Sequence, residues 1–314
     1  MSTGEQFSTI FDNLISIANA YFYSGCLDDA VNLLQQGTAL LDFGDATHDA
    51  HVDLLLACAS MQTQQAWVNT GDYQQAEATI DQLESLAQTD SQRGRFLNVK
   101  ANKLRVQALG STERDFTTPR KLFEESLTLL DENVQPKDYF WSLFRMGVCD
   151  QFEGTYENAL EIFQRAESLA RKHNFKHELS YATRHIGFVY QFTDRLEQAL
   201  PALQESLDLR IEVDFLIFQP MSYVAVANVL HQLERHDEAK IQYAKAVETA
   251  DAMGFNRTRM IVRVNFGQAL FETDQFEAAQ PYLLEAKSLA EELNHAGVLK
   301  VSGELLAKIS EKSI

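Results

Sequence analysis

The stretch that decides the fold is Gly154–Ala170, GTYENALEIFQRAESLA, because it comes back. Forty residues after its Ala159 stands Ala199, in TDRLEQALPALQESLDL (193–209). Forty more give Ala239, in ERHDEAKIQYAKAVETA (234–250), and another forty Ala279, in TDQFEAAQPYLLEAKSLA (273–290). Towards the N-terminus the same slot is filled by Pro119 in DFTTPRKLFEESLTLL (115–130), Ala76 in GDYQQAEATIDQLESLA (71–87) and Ala30 in GCLDDAVNLLQQGTALL (25–41). The steps are 46, 43, 40, 40, 40 and 40 residues. A fixed period in the range of about 20–50 residues marks stacked supersecondary units.

Other positions hold the same phase. Seven residues after the anchor stand Gly37, Ser126, Ala166, Ser206, Ala246 and Ala286, with Leu83 the one large residue. Four after it stand Leu34, Ile80, Phe123, Phe163, Leu203, Tyr243 and Leu283; twelve before it, Gly147, Gly187, Ala227 and Gly267. Three before it come Leu27, Tyr73, Phe116, Tyr156, Leu196 and Phe276, with His236 breaking the run. Small residues at fixed phase let two helices approach, and large ones fill the space between them. Phe140–Phe152 and Tyr156–Arg171 both carry apolar residues at helical spacing, separated by a turn at Gly154. Gly25, Gly71, Asp194 and Asp274 suit the corresponding turns elsewhere. No segment alternates with period two for long, so no sheet is expected.

The pattern of a small residue, an aromatic, an acidic-x-Ala element, an aromatic and a second small residue resembles the tetratricopeptide repeat. The resemblance runs from Gln6 to Leu293, and the unit is longer than the usual ~34 residues, similar to kinesin light chain repeats. PALQESLDLRIEVDF and AVANVLHQLERHDEAKIQYAKAVETADAMG are similar to the sensor arrays of bacterial signalling ATPases and MalT-like regulators. The implied architecture is all-α: one right-handed superhelical solenoid domain over 1–314. Its repeats fall at 11–44, 57–90, 100–133, 140–173, 180–213, 220–253 and 260–293, with a capping helix at 296–311. Repeat 3 departs from the pattern at Pro119, where a late second helix is expected, with Thr118 as N-cap. Pro201 and Pro281 fall inside predicted helices and should bend them. The longer steps place insertions at DFGDATHDAH and QTDSQRGR.

Composition narrows the function. The chain of 314 residues has 45 Asp and Glu against 27 Lys and Arg, a net charge of −18. That sign repels phosphate backbones and anionic lipid, so neither nucleic acid nor a membrane is an expected partner. Three cysteines, Cys26, Cys58 and Cys149, lie far apart and form neither a disulfide framework nor a zinc pattern. No leader-like N-terminus is visible, and a cytoplasmic location is expected. Phosphate loops, GxSxG and HExxH are all absent. The clusters His48, His51 with Asp53, and His173, His177 with Glu178, read as polar turns between repeats. No metal, cofactor or catalytic role is expected.

Resemblance implies that certain slots of each first helix face a concave groove. Those slots place Arg105, Arg145 and His185 forty residues apart in a ladder, with Arg184 beside it. Inward basic residues in so acidic a chain need a counter-charge. Either Asp150 and Glu153 pair with them, or they await an acidic group of a ligand. Asn228, Asn265, Gln268 and Gln232 supply amides that suit an extended peptide backbone. Trp141, Tyr181, Phe152, Phe188 and Phe192 would wall the pocket. A co-chaperone clamp is not matched: Asn19 has its slot, but Ile15 stands where that clamp has Lys. The expectation is a non-enzymatic, bacterial adaptor or regulatory sensor binding a protein or peptide segment. The alternative is a scaffold that oligomerises through the convex face and an N-terminal helix with Phe7, Ile10 and Phe11 exposed, the groove idle, and an enzyme stands third.

Overall fold

The computed structural model describes residues 3–42, 47–111 and 113–312. Among them fifteen α-helices and no strand occur: α1 Thr3–Tyr23, α2 Leu27–Ala39, α3 His48–Gln65, α4 Gln74–Leu86, α5 Asp90–Gly110, α6 Thr117–Leu129, α7 Pro136–Phe152, α8 Tyr156–Lys172, α9 Lys176–Phe192, α10 Leu196–Glu212, α11 Gln219–Gln232, α12 His236–Met253, α13 Asn256–Glu272, α14 Phe276–Glu292 and α15 Ala296–Lys312. Six pairs of a first and a second helix pack together, α1 with α2, α3 with α4, α5 with α6, α7 with α8, α11 with α12 and α13 with α14; α9 and α10 follow in the same order along the chain, and α15 is laid on α13 and α14. This is the all-α solenoid class that the repeat implies.

A half-repeat of twenty residues underlies the unit. Gly154, Asn174, Asp194, Asp214, Glu234, Gly254, Asp274 and Asn294 all have positive φ, between 51° and 81°, at intervals of twenty. Each ends a helix in the left-handed conformation. In most of them the following N–H closes on a carbonyl five residues back: Phe175 on Ala170 at 2.9 Å, Arg195 on Tyr190 at 2.8 Å, Arg235 on Leu230 at 2.9 Å. Most helices of the regular repeats are thus stopped by the same hydrogen-bonded turn, and α7 to α10, α13 and α14 all come out 17 residues long.

The anchors are core. Ala30, Ala159, Ala199 and Ala279 have no exposed surface, and Pro119 is buried. A Cβ on Gly147 would sit 2.9 Å from Ile162 Cγ2 and from Phe163 Cε1, so glycine is what lets α7 reach α8. On Gly267 it would meet Leu283 at 2.8 Å. Pro201 and Pro281 lie inside α10 and α14 on exposed positions.

Three local expectations change. α6 begins at Thr117, whose N–H bonds the Asp115 carboxylate at 2.9 Å; Phe116 is the N-cap and Pro119 the third helical residue, so Thr118 caps nothing. His48–Asp53 is the start of α3 and not a turn, because the Thr47 hydroxyl accepts from the Ala50 N–H and opens the helix early. In the same way Thr89 and Gln92 form a capping box that starts α5 within QTDSQRGR. The insertions lengthen first helices; residues 43–46 of DFGDATHDAH lie outside the described residues. Finally, Phe11 is fully buried and Phe7 packs against its core, so the expected patch of three shrinks to Ile10.

By contact density the chain divides into two compact units, Met1–Val189 and Tyr190–Ile314. In the first, Phe11, Leu34, Leu54 and Cys58 form one cluster and Val52, Leu55, Ile80, Leu83 and Phe96 the next. In the second, Met260, Val264, Ala286, Leu289 and Val298 close the last pair under α15. Neighbouring first helices also touch one another directly: α1 with α3, α3 with α5 and α5 with α7 in the first unit, α11 with α13 in the second. Second helices meet less closely, so the first-helix layer is the inner side of each stack.

Candidate functional site

In the first unit α5 and α7 bring Arg105 and Arg145 to neighbouring positions on the first-helix layer. Both are half-buried. Arg105 donates from Nε and Nη2 to Asn102 Oδ1, at 3.3 and 2.8 Å. Arg145 donates from Nη1 to Asn98 Oδ1, and its guanidinium lies 4.9 Å from the Trp141 ring centroid. Asn98 is oriented for this role, since its Nδ2 donates to Ser142 Oγ at 2.7 Å. The partners of both arginines are therefore neutral amides and a ring face.

Neither Asp150 nor Glu153 neutralises them. Asp150 is held by Arg120 of α6, through Nε and, at 3.3 Å, through Nη2. Among the described residues no carboxylate lies within ion-pair distance of Arg105 or Arg145. Burial lowers the pKa of both. Arg145 is pushed down to about 9, first by burial and then by the positive charge of Arg105. A guanidinium keeps its proton at neutral pH, so the fold holds two like charges together, with the Asp138 carboxylate acting on Arg145 only from beyond ion-pair distance.

Around the pair stand aromatic rings. Tyr181 of α9 meets Trp141 edge to face at 5.0 Å between centroids. Arg184 lies 4.5 Å over the Phe188 ring. His185 does not extend the charged ladder: its Nδ1–H donates to Gln151 Oε1 at 2.7 Å, and the rings of Phe144, Phe163 and Phe188 lie 5.0, 5.3 and 5.6 Å away. It is half-buried among these rings.

The second unit holds the amides. Asn228 of α11 donates from Nδ2 to Asn265 Oδ1 at 3.3 Å, and Asn265 of α13 donates to the Ile261 carbonyl at 2.8 Å. The Tyr243 hydroxyl, its pKa raised by burial, donates to Asn228 Oδ1 at 2.5 Å. Gln268 is exposed and donates to Glu272 Oε1 at 2.8 Å. Asn228 and Asn265 stitch two first helices together, which sequence reasoning did not show. Missed as well were Asn98 and Asn102, which are i and i+4 on α5; their spacing was visible, their direction was not.

Among the described residues no group of three or more His, Cys, Asp or Glu is placed to hold a metal ion, and no helix is long and apolar enough to cross a membrane. A shallow cleft of about 530 Å³ on α8 and the α6–α7 turn is lined by residues of both charges, among them Glu132, Glu161, Arg165 and Lys172.

Residues 178–252 and 262–293 match tetratricopeptide repeat family models. With the helix pairs described above, the match identifies tetratricopeptide repeats over those residues. No curated protein's sequence matches it. Solved structures are similar in fold. A signal transduction ATPase with numerous domains and a tetratricopeptide repeat sensor, from Pyrococcus horikoshii, is 14% identical with a TM-score of 0.64; the match covers 100% of this chain and 50% of that one. Aspartyl phosphate phosphatase F from Bacillus subtilis is 12% identical with a TM-score of 0.54, covering 97% of this chain and 94% of that one. Kinesin-light-chain-like repeats from Podosopora anserina are 12% identical with a TM-score of 0.51, covering 66% and 98%. At these identities the likeness is one of fold.

Proposed function

We propose that this protein is a non-enzymatic, cytoplasmic adaptor or regulatory sensor. It holds a partner's peptide segment on its first-helix face and seats an acidic group of that segment on Arg105 and Arg145. One observation carries the reading: two half-buried guanidinium groups share a site with no carboxylate among the described residues within ion-pair distance, Asp138 acting on Arg145 only from further off. An acidic side chain or terminal carboxylate would remove the repulsion and take bidentate hydrogen bonds. Trp141 and Tyr181 would flank the group, with Arg184 and His185 at its edge. In the second unit Asn228, Asn265 and Gln268 would take a segment's main chain.

A display library of acidic peptides, followed by calorimetry on the best binder, tests this. Arg145→Met should weaken binding by about one to three orders of magnitude, from a loss of ~2–5 kcal/mol at ~1.4 kcal/mol per tenfold. Asn228→Ala should cost less, and Lys172→Ala, remote on α8, should bind like the parent. Equal affinities for Arg145→Met and Lys172→Ala would sink the reading. A second reading, self-association, rests on Ile10, Ile17 and Tyr21, which are exposed at 44, 48 and 41% along one face of α1. Sedimentation of Ile17→Glu against the parent distinguishes it.

A further inference from the structure

Units of a helical stack touch their neighbours, yet in the first unit α1 also reaches α9. Tyr23, the last residue of α1, lies face to face with His177 in the first turn of α9; the ring centroids are 4.0 Å apart and the planes 12° from parallel. Three helix pairs lie between these two helices in the chain. Beside the stack, Lys137 of α7 pairs with the buried carboxylate of Glu178 at 3.0 Å. The C-terminal end of α1 and the N-terminal ends of α7 and α9 therefore meet at one place.

That place adjoins the proposed site. One helical turn along α9 from His177 is Tyr181; one turn along α7 from Lys137 is Trp141, which meets Tyr181 edge to face and carries the Arg145 guanidinium on its ring.

We propose that the Tyr23–His177 stack is a clasp that closes the first-helix face of the first unit and opens to admit a segment to Trp141 and Arg145. As a gate it rests on the reading of that face as the binding face; as a contact it does not. A stacked aromatic pair contributes about 0.5–1.5 kcal/mol beyond the area it buries, so the stack itself adds little to the barrier against opening. The pair also senses pH. Facing His177, among other contacts, are Tyr23 of α1, Lys137 of α7 and Glu178 of α9 itself; His173, in the preceding turn, stacks on Phe175. Burial lowers the His177 pKa, with Lys137 adding to the shift and Glu178 opposing it. The closed form therefore binds fewer protons than the open one. Closure is complete above the ordinary imidazole value of about 6.5 and is lost as pH falls below it.

The chain has two tryptophans, so Trp67→Phe leaves Trp141 as the reporter. In that background Tyr23→Ala should raise acrylamide quenching of Trp141 at least about twofold and speed amide exchange over 176–181. His177→Ala should do the same from the other side, and Tyr21→Ala should do neither. Lowering the pH from about 7.5 to about 5.5 should raise quenching in the parent and leave Tyr23→Ala unchanged. In a chain with the native cysteines replaced by alanine, cysteines at 23 and 177 should be joined by a short bis-maleimide. That lock should slow or abolish binding of the displayed acidic peptide. Parent-like quenching and exchange in both alanine variants, or no cross-link between 23 and 177, overturns the clasp. Ready cross-linking with unaltered peptide binding overturns the gate. These ligand-independent readouts keep a failure of the clasp apart from a failure of the binding site, which Arg145→Met reports.

Discussion

As proposed binding groups, Arg145 and Arg105 are worth more to a partner than to the fold. Their neighbours are amides and a ring face, and each charge destabilises the other. Replacing a buried, uncompensated charge by an apolar side chain of similar volume is often neutral or stabilising, by up to several kcal/mol. Arg145→Met should therefore leave the thermal midpoint unchanged or raise it by a few degrees, even as it weakens peptide binding. A midpoint lowered by more than about 5 °C would mean that the bond to Asn98 and the contact with Trp141 hold α5 to α7. Both arginines could be picked out of the sequence by their phase against an acidic background. Their partners could not, because Asp150 stood nearer in sequence than Arg120 of another helix, and only packing decided which cation it met.

At the scale of a helix, spacing between partners controls stability, and two glycines make the test. Gly147→Ala adds a methyl 2.9 Å from Ile162 and Phe163. The overpacking cost of ~1–3 kcal/mol exceeds the ~1 kcal/mol gained in helix propensity, so a net loss of about 1 kcal/mol is expected. Gly303, inside α15, has nothing within 4 Å of such a methyl. Gly303→Ala should stabilise by ~0.5–1 kcal/mol. Urea denaturation of the two variants reads both signs; the same sign in both would contradict the packing. Helix ends were half legible: Gly154, Asp194 and Asp274 looked like turns, and Asp214 is the same residue at the same phase, whereas Glu234 carries no such signal. The left-handed conformation of Glu234 comes from the turn that the repeat imposes.

For the whole chain, nearest-neighbour packing predicts that damage stays local. α15 covers the apolar side of α13 and α14 through Val298 and its cluster with Met260, Leu289 and Ala290, and Ile309 is buried further along it. A chain ending at His295 should show faster amide exchange in α13 and α14 and a tendency to self-associate, with α1–α4 exchanging as before. Uniformly faster exchange along the chain would instead show one cooperative body. The contact-dense units, Met1–Val189 and Tyr190–Ile314, meet within α9, a boundary that no change in composition marks.

The repeat was readable because helix pairing is a local matter. Small and large residues at a period of forty, with acidic and polar residues between them, specify two helices and the face each buries. Seven pairs and the terminal helix follow from that pattern alone. The early starts of α3 and α5 were also written in the sequence, at Thr47 and at Thr89 with Gln92, as cap residues the repeat phase had obscured. What tertiary structure alone decided are contacts between side chains far apart in the chain: Asp150 with Arg120, Asn228 with Asn265, Tyr23 with His177. Each depends on how one helix is turned and offset against another. A period in the sequence fixes which face of a helix is buried, but not the few ångströms of rotation and slide that choose one polar partner over the next.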